Sequence, residues 1–229
     1  MKQSIKKIMA TAVGLAAVTG AASATMIGAS YTGSTIDIPD GNPVGIASTL
    51  AVDDTSGGLN NAAVQDVSVS LNISGGYDGD LYGYLVYQPS TSASGSGAGT
   101  SMIVLLNQIG SAPFHDSTAG MNITLSDSGT ANVNTQTGTA LTSGTGVFTP
   151  DSSSGAHATF SSAFNGQSAD GNWTLFLADL STGGGTSELL SWGVNISVVP
   201  EPIAWALVGF AGVLSLARFV AWRKQVKSA

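Results

Sequence analysis

The chain has 229 residues, with 7 Lys and Arg against 14 Asp and Glu, 2 His, no Cys, and charged side chains at only 9% of positions. That length holds one domain with tails and is ample for a buried core; 43% apolar content separates it from charge-rich disordered chains. The missing Cys excludes a disulfide scaffold, thiolate metal sites and a Cys nucleophile. The basic residues are confined to the ends: Lys2, Lys6 and Lys7 at the front, then Arg218, Arg223, Lys224 and Lys227 at the back. Every acid lies between Asp37 and Glu201, so the interior is an uncompensated polyanion. It cannot hold a phosphate backbone, which requires Lys or Arg to displace counterions, so no nucleic-acid partner is expected. Acids brought together there must be kept apart, protonated, hydrogen-bonded or bridged by a cation.

In chain order, residues 1–24 read as a secretory signal peptide. Lys2, Lys6 and Lys7 lead into the apolar stretch Ile8 to Val18, and Ala22-Ser23-Ala24 offers a small-residue site for signal peptidase. The alternative is an N-terminal membrane helix that stays attached; either way the body is exported. From residue 25 to 198 the pattern is that of strands. Ile46, Leu50 and Val52 suggest an early one. Val67, Val69, Leu71 and Ile73 alternate with Ser68, Ser70 and Asn72, as in a half-buried antiparallel sheet. Leu81 to Tyr87 and Met102 to Leu106 follow, with Met121 to Leu125 and Ala158-Thr159-Phe160 as weaker candidates. Trp173, Leu175 and Leu177 alternate with Thr174, Phe176 and Ala178, which suggests a strand covered on both faces; Trp192, Val194, Ile196 and Val198 form the last run. Ser90 to Ser101 reads as a loop, Ser126 to Gly146 as a loop with one short strand, and Gly183-Gly184-Gly185 as a turn. About eight strands without helices predict an all-β antiparallel sandwich.

Residues 199–229 change character. Val199-Pro200-Glu201-Pro202 breaks the strand pattern, Ile203 to Trp222 is just long enough to span a bilayer, and Arg223, Lys224 and Lys227 place the C-terminus in the cytoplasm. Arg218, near one end of that stretch, can snorkel to the headgroups. A tripeptide Pro200-Glu201-Pro202, an apolar helix and a basic tail in this order resemble the PEP-CTERM sorting signal of bacteria with exosortases. The resemblance implies a transient membrane anchor and a membrane transpeptidase-like partner that detaches the body. The alternative is a plain tail anchor.

The body resembles the P domain (P/Homo B domain) that follows the catalytic domain of kexin- and subtilisin-like proteases. Ile38-Pro39-Asp40-Gly41-Asn42-Pro43 before Ser48 to Val52, then Asp66 to Ile73 with Gly79-Asp80-Leu81 and Leu85 to Ser90, carry the first half of the resemblance. Gly171-Asn172-Trp173-Thr174-Leu175, Asp179, Leu189 and Trp192 carry the second. The resemblance implies a sandwich of jelly-roll type. This chain has no protease domain beside it, so the family's role of stabilising a catalytic neighbour in the same chain falls away.

Chemistry is expected to be sparse. His115 and His157 are the two histidines. Neighbours in a strand point to opposite faces, so His115 beside Asp116 is no dyad, and there is no Gly-x-Ser-x-Gly elbow. A glycosidase needs two carboxyls across an aromatic cleft, whereas Trp173 and Trp192 read as core. No catalytic residue is therefore expected. Calcium is the better use of the acids, since it takes six to eight oxygens, often from loops that turn at Gly. Asp78 and Asp80 flank Gly79, and Asp170 and Asp179 sit at strand ends; these four are the candidate ligands for Ca2+, which some members of the resembled family bind. The competing reading has each Asp capping its own turn, with Asp80 as a structural acid. The expected protein is an exported, non-enzymatic cell-surface or matrix module that binds protein or polysaccharide. The rival is an accessory domain docking in trans on an exported serine protease or polysaccharide enzyme; a hydrolase is a third reading.

Overall fold

The computed structural model describes residues 24–53, 62–90, 99–110, 115–151, 159–199 and 212. Those residues build two stacked sheets. The first has the order β1 (Thr25–Tyr31), β10 (Ser187–Val199), β4 (Ala63–Gly75), β7 (Met121–Ser126) and β8 (Gly146–Phe148), with β2 (Ile36–Ile38) also on β10. The second has the order β3 (Asn42–Val52), β9 (Gly171–Asp179), β5 (Leu81–Pro89) and β6 (Ser101–Asn107). Pairing is antiparallel except between β7 and β8. The chain is all-β in two sheets, as its period-two pattern predicts.

The core lies between the sheets. Val67, Val69, Leu71 and Ile73 of β4 meet Leu81 and Leu85 of β5 and Trp173, Leu175 and Leu177 of β9 there. Their serine and asparagine partners in β4 face outward and are half-buried. Each such buried Val, Leu or Ile contributes about 1.5–3 kcal/mol. Two bulges rescue positions that strict alternation would expose. Leu189 and Trp192 are three apart, yet both are buried, because the register between β10 and β4 slips between Leu189 and Ser191. A second slip, between Ser197 and Val198, lets Val64 and Val67 both face inward. The indole N–H of Trp192 donates to Ser48 Oγ across the two sheets at 2.9 Å.

Three local expectations are corrected. Ala158-Thr159-Phe160 is not a strand where described: Thr159 is the N-cap of helix α2 (Phe160–Phe164) and forms a capping box with Ser162. Asp127 adds acceptors for Phe160 N and Ser161 N, each at 2.8 Å. The stretch Ser126 to Gly146 holds a 3-10 turn (Val133–Thr135) and helix α1 (Thr139–Thr142), and its short strand starts only at Gly146. Two strands outside the period-two pattern, β1 and β2, precede the early strand β3. No helix among the described residues is long and apolar enough to cross a membrane. Ala22, His157, Pro200, Glu201, Pro202 and, apart from Gly212, the 203–222 stretch lie outside the described residues.

The sandwich has two distinct ends. Thr25, the first residue of β1, pairs with Val198 near the end of β10. Both tails therefore leave from one end of the first sheet, with Ala24 exposed just before β1. The loops 39–41, 76–80, 115–120 and 180–186 gather at the other end, separated by the 13 residues of β10, about 40 Å of extended chain.

Candidate functional site

The loop end opposite the tails is acidic. Asp78 and Asp80 belong to a 3-10 turn (Asp78–Asp80) that feeds β5. Asp179 closes β9 beside Leu81 and Asn42, its register partners on both sides. Asp116 lies on the loop entering β7, and Asp40 on the β2–β3 turn. The loops are pinned by backbone bonds: Asp78 N to Thr118 O at 2.9 Å, Gly79 N to Asp116 O at 2.8 Å, and Leu180 N to Asp80 O at 2.9 Å. Gly79 permits a close approach, since a Cβ there would sit 2.5 Å from Asp116 N and from His115 Cβ.

The acids differ in how they are satisfied. Asp116 is well served: Thr118 N and Oγ donate to its Oδ1 at 3.2 and 2.9 Å, and Gly138 N to its Oδ2 at 3.3 Å. Asp40 accepts from Gly183 N at 3.2 Å and is exposed. Asp179 is fully buried; its Oδ1 accepts from Ser181 N at 3.2 Å and Gly41 N at 3.4 Å, while its Oδ2 has no partner. Asp78 stands apart. It is 0% exposed and neither carboxylate oxygen has a hydrogen-bond partner. Burial, and next the neighbouring Asp116 charge, push its carboxyl up to about 7; the Gly120 N–H lies near enough to oppose this, though outside hydrogen-bond geometry. Burial likewise raises Asp179 and Asp80, each also pushed up by Asp40.

His115 lies at the same end with φ 37°. Its Nδ1 donates to Gln108 O at 2.9 Å, while Asp116 spends its carboxylate on Thr118 and Gly138. The two neighbours are thus engaged separately.

The four candidate ligands do not share one place. Asp78, Asp80 and Asp179 are at the acidic end; Asp170 is at the start of β9, about 30 Å of strand away. Asp170 accepts the Ser90 hydroxyl at 2.5 Å, and its carbonyl receives Ser90 N at 3.2 Å, so it ties the β5 and β9 ends together. Among the described residues no group of three or more acids or histidines is arranged to hold a metal. What that end does hold is narrower: the buried Asp78 carboxylate, both oxygens without partners, raised further by the charge of Asp116, which the chain presents only as a neighbour of His115. Its spacing from Asp78 in the chain is too long for any local motif to reveal the pairing.

Elsewhere, the outer face of the second sheet carries an aromatic ladder. Tyr84 and Phe176 stack at 4.6 Å with planes 16° apart, and Tyr82 meets Tyr84 edge-on at 6.1 Å. Rings stacked across neighbouring strands spend their faces on each other, which stabilises the sheet. An open depression of about 370 Å³ on the first sheet is lined by Met26, Gly28, Ser30, Ser70, Gly193 and Asn195, all uncharged.

No protein-family model matches the chain, and no curated protein matches it. Among solved structures, it is similar to the Aeromonas sobria serine protease in complex with its chaperone, at 15% identity and a TM-score of 0.39. That match covers 76% of this chain and 26% of the other. The chain thus spans about a quarter of the length of that neighbour.

Proposed function

We propose that the protein is an exported, non-enzymatic surface module: a jelly-roll-type sandwich of the P-domain kind, delivered by a signal peptide, held by a C-terminal membrane helix and released by an exosortase-type enzyme. The observation that carries the reading is the placement of the two tails. Thr25 opposite Val198 puts the two points where the chain leaves the sandwich at one end of the first sheet. A membrane anchor there presents the opposite, acidic end outward, toward a protein or polysaccharide of the cell surface or matrix. The cation-free surface suits a hydrated polymer environment, since its like charges oppose self-association. Docking in trans on an exported serine protease or polysaccharide enzyme is the rival reading, favoured by the P-domain-like segments from Ile38 to Trp192.

The test is fractionation of cells carrying the full chain with and without an exosortase. The expected result is a shortened body outside the cell with the enzyme, and full-length membrane protein without it. The double variant Pro200→Ala, Glu201→Ala should behave as the enzyme-free case. Body retained in the cytoplasm, or normal processing of the variant, overturns the reading.

A further inference from the structure

We propose that the outer face of the second sheet is the contact surface of a homodimer, in which two copies of this chain pack that face against itself about a two-fold axis. The dimer is independent of export and sorting, and a monomeric protein would leave that reading where it stands.

The two sheets turn different chemistry outward. The first shows Asp66, Ser68, Ser70 and Asn72 of β4 with Glu188 and Asn195 of β10, the polar half of an alternating pattern. The second shows Tyr82, Tyr84 and Val86 of β5, Phe176 of β9, and Met102 and Val104 of β6. Its four strands carry one charged residue, Asp179, which is buried in phase with the inward-facing Trp173, Leu175 and Leu177. Asp151, whose charge reaches Tyr82, is buried as well. Val104 and Ala178 stand opposite Tyr84 and Tyr82 in the ladder; both are buried, yet neither belongs to the core between the sheets. A thin second apolar layer therefore lies on the outside of the sandwich. The alternation of β9 is that of a strand covered on both faces. Among the described residues no further strand or helix lies over its outer one, where Phe176, Tyr84 and Val86 are half-exposed.

Charge selects the occupant. Between Lys7 and Arg218 the body carries acids and no Lys or Arg, so two copies repel wherever their acids meet. The acidic loop end and the first sheet are closed to a second copy on that ground. On the outer face of the second sheet no acid opposes contact, and apolar side chains gain by leaving water. A self-complementary contact closes after two copies, and the charge on the remaining surface stops growth there. Tyr84 and Phe176 stack on one another, so they offer ring edges, which interdigitate with a facing sheet as the inner faces of a sandwich do. A stacking sugar would need an open ring face. Four strands about 4.8 Å apart and about nine residues long give a face of roughly 19 by 30 Å; two such faces cover about 1,100 Å², above the roughly 1,000 Å² of a specific interface.

The experiment is sedimentation equilibrium of the full chain in density-matched detergent. The parent should be a dimer. Val86→Asp should raise the dissociation constant at least tenfold, because the two-fold axis brings a new carboxylate from each copy into an apolar contact. Asn195→Asp, on the exposed side of the first sheet, should match the parent. If Val86→Asp does not fold, as judged by its near-ultraviolet spectrum, Thr174→Asp, its register partner on β9, decides. Added salt should tighten the parent dimer, since it screens repulsion between two polyanions and leaves an uncharged contact intact. A monomeric parent overturns the proposal, and retention of that monomer on a neutral glucan would assign the face to polysaccharide instead. A parent-like dimer of a folded Val86→Asp, an equal loss with Asn195→Asp, or loosening by salt overturns it equally.

Discussion

The two ends of this sandwich treat buried polar groups in opposite ways. At the tail end, Tyr87 Oη lies 2.5 and 3.0 Å from the Ser168 and Asp170 carbonyls, the Trp173 indole donates to Ala169 O at 3.3 Å, and Asp170 takes the Ser90 hydroxyl. These groups frame an aromatic cluster in which Trp173 packs 4.6 Å from Tyr87 and 5.0 Å from Phe164. At the other end, Asp78 and Asp179 keep three buried oxygens without partners. One end is finished as a structural joint but for the neutral Gln167 Oε1; the other leaves carboxylate oxygens without partners.

That contrast can be broken by substitution. The largest effect is expected at the finished end: Trp173→Ala should cost about 3–5 kcal/mol, read by denaturant unfolding, whatever the calcium concentration. Next comes acidity at the unfinished end, measured in chelator. The Asp78 carboxyl stands near 7 when folded against its ordinary 3.8, so between those values the folded chain keeps a proton that the unfolded chain releases. Stability should therefore be full below about pH 4, fall as pH rises through 7 by up to about 4 kcal/mol, and flatten above. The raised carboxyls of Asp66, Asp80 and Asp179 act in the same direction. Stability rising from pH 4 to 7 in chelator would contradict this account.

Smaller effects sharpen the comparison. Gly79→Ala should lower stability by about 1–3 kcal/mol, because its Cβ meets backbone at 2.5 Å; thermal melting checks this. Asp170→Asn should cost about 1 kcal/mol, the worth of a single hydrogen bond.

The same contrast explains what could be read from the chain. The core strands are legible because β4 and β9 obey strict alternation over many residues, from Val67 to Ile73 and from Trp173 to Leu177. Where two bulges shift the phase, at Leu190 and Gln65, no simple period reports it. Strand β1 escapes the pattern because Thr25 to Tyr31 exposes its edge and buries its inner residues only in part. Helix α2 escapes it because its stability comes from a cap at Thr159 and from Asp127, more than 30 residues away. The tail-end acid Asp170 and the loop acid Asp78 look equivalent as letters beside Gly171 and Gly79. Only folding shows that one has a hydroxyl within 2.5 Å and the other faces Asp116.

The most direct measurement is a pair of calorimetric melts in chelator, at pH 4.5 and at pH 7.5, of the parent chain, Asp78→Asn and Asp170→Asn. The parent and Asp170→Asn are expected to melt several degrees lower at pH 7.5, because the buried Asp78 carboxyl, raised to about 7, gives up its proton between the two. Asp78→Asn has no such proton to lose and is expected to show a smaller difference. A parent that melts higher at pH 7.5, or an Asp78→Asn that keeps the parent's full difference, would contradict the account of Asp78 as a buried carboxyl without hydrogen-bond partners.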